Sequence, residues 1–337
     1  MCSTTCSYSA CEMKPASVQA SSLIDAAACA VEVPALAAAA LAELFAPVPF
    51  SAGKEISLRG REALGVPEER IAEAPALVYG ETSATALARV LAVVERRRRE
   101  RRREGAGDGA SAAGDRDADA DALLRNEQRR EVFLDVGSGI GKPVFAAALL
   151  RPWARCVGVE LLEGLHAEAL ALRETWRGGL PFSQRGVKQA LFRIPPEARA
   201  ARLDLRCADA CDTARLPLGN AEDEEDADLD DAAFSRPLWS AVDVAFACST
   251  CFDEATLARV AQAAEAMRPG ALFAACSAPM PAAWGALVAE LPDCPVSWGT
   301  TTVYVSERGA GAGAGGAGGG GGGGGEGEEA GAAAAQD

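Results

Sequence analysis

The chain has 337 residues, enough for one large domain or two small ones, with 49% hydrophobic but only 5% aromatic residues. A formal net charge of −15, much of it from two acidic segments, argues against a general nucleic-acid coat. Eleven irregularly spaced cysteines and a single histidine, His166, point to reduced thiols and away from a disulfide framework or a Cys/His zinc site.

No uninterrupted apolar segment approaches membrane-spanning length. The N-terminus lacks the basic start of a secretory signal, and its Ser/Ala-rich character leaves an organellar transit peptide open. The expectation is a soluble, intracellular protein.

In chain order, residues 1–30 are Cys/Ser/Ala-rich and read as loose. A helix is expected over Ala35–Leu44, stopped by Pro47 and Pro49, and a small helical cap over 51–75. Residues 1–70 thus read as a loose and helical extension. The segment Ala76–Ser83 then leads into a helix, with Thr82 or Ser83 as its N-cap and Leu87, Val90, Leu91 and Val94 on one apolar face. Tyr79-Gly80-Glu81 is either a surface turn or a functional loop. Arg96–Arg103 places seven arginines around Glu100, and residues 105–121 are rich in Gly, Ala and Asp. That pattern predicts a helix overrunning into a flexible insertion over about 96–128. The arginine run is either a solvated face or an electrostatic grip on nucleic acid or an acidic partner.

The stretch Glu131–Gly164 organises the rest. Val132–Val136 is short and apolar enough for a buried strand, Gly137-Ser138-Gly139-Ile140-Gly141 is a turn, and Pro143–Leu150 is a helix with proline near its start. A second buried strand, Cys156–Val159, ends on Glu160, 25 residues after Asp135. Strand, glycine loop, helix, strand and terminal acid make half of a nucleotide-binding α/β unit, with Glu160 placed to accept ribose hydroxyls. A P-loop is excluded, because Val136 stands at its first glycine and Pro143 follows Lys142. A dinucleotide fingerprint is excluded by Lys142 in place of the third glycine. Gly-x-Gly-x-Gly preceded by an acid fits instead the loop of class I S-adenosylmethionine methyltransferases.

Further on, Leu165–Arg177 reads as a helix carrying His166, 178–200 as a connector, and Leu203–Cys207 as a strand followed by Asp209 and Asp212. Either acid is placed to accept from an adenine amino group, Asp209 before Asp212. Residues 220–232 form an acidic insertion, within a flexible stretch of about 214–236. Val242–Ala247 is the next strand, Asp253–Met267 an amphipathic helix, Ala271–Cys276 a strand, Pro281–Glu290 a shorter helix, and Thr301–Ser306 a final antiparallel strand. Cys248-x-x-Cys251 has the spacing of a redox or metal pair, but without a second pair it reads as core thiols. No metal site is expected. Residues 307–337, almost all Gly, Ala and Glu, form a disordered tail.

Taken together, several of these motifs resemble the disruptor-of-telomeric-silencing histone lysine methyltransferases. They are Tyr79-Gly80-Glu81-Thr82, Asp135–Lys142, Gly158-Val159-Glu160, Phe246–Phe252 and Met267–Gly270, in that order over about Leu77–Ser306. The resemblance implies an α/β class I methyltransferase fold, a doubly wound, mostly parallel seven-stranded sheet over 71–306 with a small N-terminal helical cap. It implies S-adenosyl-L-methionine as cofactor. Tyr79, Glu81 and Thr82 would close over its methionine end, bordered by Asp135, Gly137, Gly139 and Lys142, with Glu160 on the ribose and Asp209 near the adenine. Cys248 stands where the family usually has asparagine, at the methyl-transfer channel; Tyr79 would orient the substrate, and Ser249 or Thr250 would line the channel. A core histone in nucleosomes is the implied substrate, with a nuclear location. A non-histone protein or small-molecule substrate, a cytoplasmic location, and a cofactor-binding module without turnover stay open.

Overall fold

The strand Val132–Val136 (β1) is buried along its whole length, as a central parallel strand covered on both faces must be. The computed structural model describes residues 33–106, 128, 130–177, 202–213, 216 and 237–309. The loose stretch 1–30, the connector 178–200, the Gly-rich tail from 310 and most of both expected insertions lie outside the described residues.

β1 pairs in parallel with Arg155–Glu160 (β2) on one side and Val244–Ala247 (β4) on the other, so that Asp135 lies between Gly158 and Phe246. Arg202–Cys207 (β3) extends the sheet beyond β2, and Leu272–Cys276 (β5) extends it beyond β4. Gly299–Arg308 (β7) runs antiparallel to β5, and Gly285–Val296 (β6) closes the edge antiparallel to β7. The order β3-β2-β1-β4-β5-β7-β6 is the expected class I methyltransferase fold.

One face of the sheet is covered by Ala35–Phe45 (α1), Ala84–Ala106 (α3), Lys142–Leu150 (α4) and Glu163–Arg177 (α5) around Phe133, Phe246 and Val305. Phe50–Ala63 (α2) packs on α5, where Ile56 meets Gly164. α1 packs into the main core, where Phe45 meets Phe145 edge-on at 5.6 Å. The other face holds Leu238–Ala241 (α6) and Glu254–Ala264 (α7), with Trp239 and Trp284 packed against Phe273.

Two expectations are corrected. Pro281–Glu290 is not a helix: a turn over 282–284 leads into β6, which carries Pro292 and Pro295 and two register shifts. Proline removes helix donors, while irregular edge strands tolerate it. The insertion does not begin at residue 96, because α3 continues to Ala106. Its arginines reach back to the body of the protein. Arg98 and Arg151 converge on Glu131, Arg97 and Arg101 pair with Glu307, and Arg101 also donates to the Gly270 carbonyl at 3.0 Å.

Candidate functional site

The connection order reverses between β1 and β4, and in an open α/β sheet such a switch point opens a crevice over the C-terminal strand ends. A cleft of ≈ 300 Å³ lies there, with Gly137 and Gly139 at its base, Glu160 and Asp209 on one side and Cys248 on the other. A small recess continues from it between Tyr79, Asp135, Lys142 and Cys248.

The loop after β1 turns back sharply because Gly137, Gly139 and Gly141 all take positive φ (73°, 55° and 87°). A Cβ on Gly139 would lie 2.9 Å from the Tyr79 ring, so glycine lets the upstream loop close onto the turn. Glu160 ties the loop down: its carboxylate oxygens accept from the backbone N–H of Gly139 at 2.7 Å and of Leu162 at 2.8 Å. Burial nevertheless holds its pKa above the usual range, against the pull of those donors. Each oxygen retains a lone pair for a hydroxyl.

Asp135 is the least provided-for group in the site. It is 1% exposed, and its Oδ2 has no hydrogen-bond partner among the described residues. Burial, with the neighbouring Cys248 and Glu160, pushes its pKa well above the carboxylate range. An orphaned carboxylate facing a recess is a site for a donor from outside the chain.

The upstream loop is built as a wall. Tyr79 donates its hydroxyl to Glu81 Oε1 at 2.6 Å, and Lys142 Nζ donates to Glu81 Oε2 at 2.5 Å. Burial and the Glu81 hydrogen bond both push the Tyr79 phenol far up, so it stays protonated and orienting. The tip of the β6–β7 hairpin clamps the loop: Thr82 bridges to Val296, and the Glu81 N–H donates to Ser297 Oγ at 3.0 Å. Ser83, not Thr82, caps α3, accepting from Ala86 N at 3.1 Å. The Thr82 hydroxyl is buried without a hydrogen-bond partner among the described residues.

At the end of β4 the Cys248 side chain faces the cleft, and the adjacent Cys276 thiol favours its ionisation. Ser249 is corrected as a channel residue. It is buried, does not line the cleft, and spends its hydroxyl on the Cys276 carbonyl at 2.7 Å. Asp209 lines the cleft and Asp212 does not. Asp209 accepts from Cys211 N at 2.9 Å and from Arg259 at 2.5 Å. Burial raises its pKa, but these donors outweigh burial and hold it below the usual range.

Trp298 escaped the sequence reading. It sits at the hairpin tip, 45% exposed, against Gly80, where a Cβ would lie 2.1 Å from its ring. With Val78 and Leu161 it forms an exposed apolar rim around the cleft, above Tyr79 and Phe252. The signal available was the Ser-Trp-Gly between β6 and β7, hidden by reading the start of β6 as a helix.

No protein-family profile matches the chain, and no curated protein sequence matches it. Among solved structures it is similar to an RNA methyltransferase from Salinibacter ruber in complex with S-adenosyl-L-homocysteine, at 17% identity and a TM-score of 0.29, covering 59% of this chain and 94% of that one. It is also similar to TrmN from Thermus thermophilus, at 18% identity and a TM-score of 0.33, covering 57% of this chain and 48% of that one.

Proposed function

We propose that the cleft binds S-adenosyl-L-methionine, and that the protein is a methyltransferase whose favoured substrate is a lysine of a core histone in nucleosomes. The observation that carries the cofactor is Asp135: a buried carboxylate with one oxygen unpartnered among the described residues, beside a positive-φ glycine loop, suits an ammonium group, such as the amino-acid end of this ligand. Glu160 has acceptor capacity left for ribose hydroxyls, and Asp209 lies further along the same wall for the adenine amino group. The cofactor brings a methyl group already activated on a sulfonium.

The chain's own residues then have to align a nucleophile and exclude water. Tyr79, Phe252 and Trp298 give the cleft an aromatic lining suited to an alkyl amine. Desolvation there lowers an amine's pKa and frees its lone pair. Tyr79 orients through Glu81 and stays protonated. The exposed arginines 99 and 103 extend the substrate surface toward a polyanion such as nucleosomal DNA. A histone substrate carries a nuclear location with it. Cys248 favours a second reading, a binding module without turnover, because a thiol lacks the paired donor and acceptor of an amide. A non-histone protein or small-molecule substrate, with a cytoplasmic location, is the remaining alternative.

The test is transfer of labelled methyl from S-adenosyl-L-methionine to nucleosomes, free histones and cell extract, with Gly139→Arg as the dead control. Label on a nucleosomal histone, reduced in the Arg99→Ser/Arg103→Ser variant, is the expected result. Label confined to the extract would replace the histone reading, and no label with S-adenosylhomocysteine still bound would leave the module.

A further inference from the structure

Two thiols stand side by side at the ends of neighbouring strands, and only one of them is reachable. β4 and β5 run parallel, their ladder ends with Ala247 opposite Ala275, and Cys248 and Cys276 are the residues that follow on the two strands. Both pack on the same face, in the core that holds Phe246 and Ala274. Neighbouring strands lie about 5 Å apart, inside the Cα separation a disulfide accepts. Both side chains leave the sheet on that face from adjacent strands, which sets the two thiols next to each other. Cys276 is fully buried, whereas Cys248 is half-buried and lines the cleft next to Asp135 and Tyr79.

We propose that Cys248 and Cys276 are an oxidisable pair, converted by a peroxide into a disulfide that pulls the Cys248 sulfur out of the cleft wall and weakens cofactor binding. The binding clause rests on the cofactor reading above. The Cys248 thiolate attacks a peroxide oxygen, the O–O bond breaks, and Cys248 becomes a sulfenic acid as hydroxide leaves and is protonated to water. The Cys276 sulfur then attacks the Cys248 sulfur, the S–O bond breaks, and the oxygen leaves as water with the Cys276 proton. Two thiols lose two electrons, and the peroxide is reduced to two waters. The adjacent Cys276 thiol favours ionisation at Cys248, which makes Cys248 the attacking group. The bond would bring the sulfurs to about 2.05 Å, well inside any non-bonded contact, so the cleft wall must shift.

Cys251 is the competing partner, because it follows three residues later and also lines the cleft. The experiment treats the full-length reduced protein with hydrogen peroxide, maps its cross-links by peptide mass spectrometry, and titrates S-adenosylhomocysteine before and after. Cleavage after Arg259 puts Cys248 and Cys276 in different peptides, so their cross-link is directly visible. The expected result is a Cys248–Cys276 link with affinity at least tenfold weaker, restored by dithiothreitol. Cys276→Ala, or Cys276→Ser should alanine fold poorly, is expected to keep its affinity in peroxide. A Cys248–Cys251 link, a sulfenic acid at Cys248 that never resolves, or a Cys248–Cys276 link with unchanged affinity would each overturn the proposal. If the reduced protein fails to bind S-adenosylhomocysteine, the cofactor reading and the binding clause fall, while the cross-link still decides the thiol pair.

Discussion

The two ends of the parallel sheet treat their carboxylates in opposite ways. At the N-terminal strand ends, Asp243 accepts from Val132 N at 2.7 Å and from Arg268 Nε at 2.7 Å, while Glu131 is held between Arg98 and Arg151. Arg151 lies over the Trp153 ring at 4.1 Å. At the C-terminal ends, Asp135 keeps an oxygen without a partner, and the hydroxyls of Thr82 and Thr250 are likewise unsatisfied among the described residues. The first end pairs its carboxylates with arginines, although Arg151 keeps Nε and Nη1 without a partner among the described residues. The second leaves polar groups open to a ligand, at a cost in stability for burying them unpaired.

The largest expected effect breaks the carboxylate–arginine pairing at the first end. Glu131→Gln leaves the buried Arg151 uncompensated and should cost about 3–5 kcal/mol in denaturant unfolding. It should not change S-adenosylhomocysteine affinity in the folded fraction; a large loss of affinity would mean that the two ends are coupled. Asp135→Asn tests the other end. It should weaken S-adenosylhomocysteine binding by about 1.5–3 kcal/mol, the worth of a charged hydrogen bond, while leaving the fold as stable as before or more so. Reduced stability with intact binding would reverse the assignment.

The pH dependence sharpens the same contrast. Burial raises the folded-state pKa of Asp135, so folding takes up a proton there. The stability due to its neutral carboxyl is complete below about pH 4, the unfolded value, and is lost as pH rises towards the folded value. Asp135→Asn should therefore gain stability relative to the wild type as pH increases from about 4. A gap independent of pH would show an ordinary carboxylate. The smallest effect belongs to the rim. Trp298→Ala removes a half-exposed side chain and should change stability by no more than about 1 kcal/mol, yet it should raise KM for substrate. An unchanged KM would remove Trp298 from the substrate path.

The glycine unit was legible because its determinants are local. β1, the loop and α4 follow one another within nineteen residues, and each is marked by its own residue types: an apolar run, glycines at positive φ, and a proline at the helix start. The arginine run misled for the opposite reason. Seven arginines around a single glutamate look like a solvated face until Glu131 and Glu307, distant in sequence, are folded against them. Ser249 looked available beside Cys248, but its hydroxyl belongs to the neighbouring strand.

The sequence alone determined the parallel strands, the glycine turn, and the positions of Asp135 and Glu160 at strand ends, because hydrophobic period and turn chemistry act over a few residues. Tertiary structure decided the rest. It turned Gly285–Val296 into an edge strand, brought Trp298 onto Gly80, set Cys248 beside Cys276 just past the end of their ladder, and left Asp135 Oδ2 without a partner among the described residues. Each of these depends on which segments become neighbours across the sheet, and no local pattern encodes that.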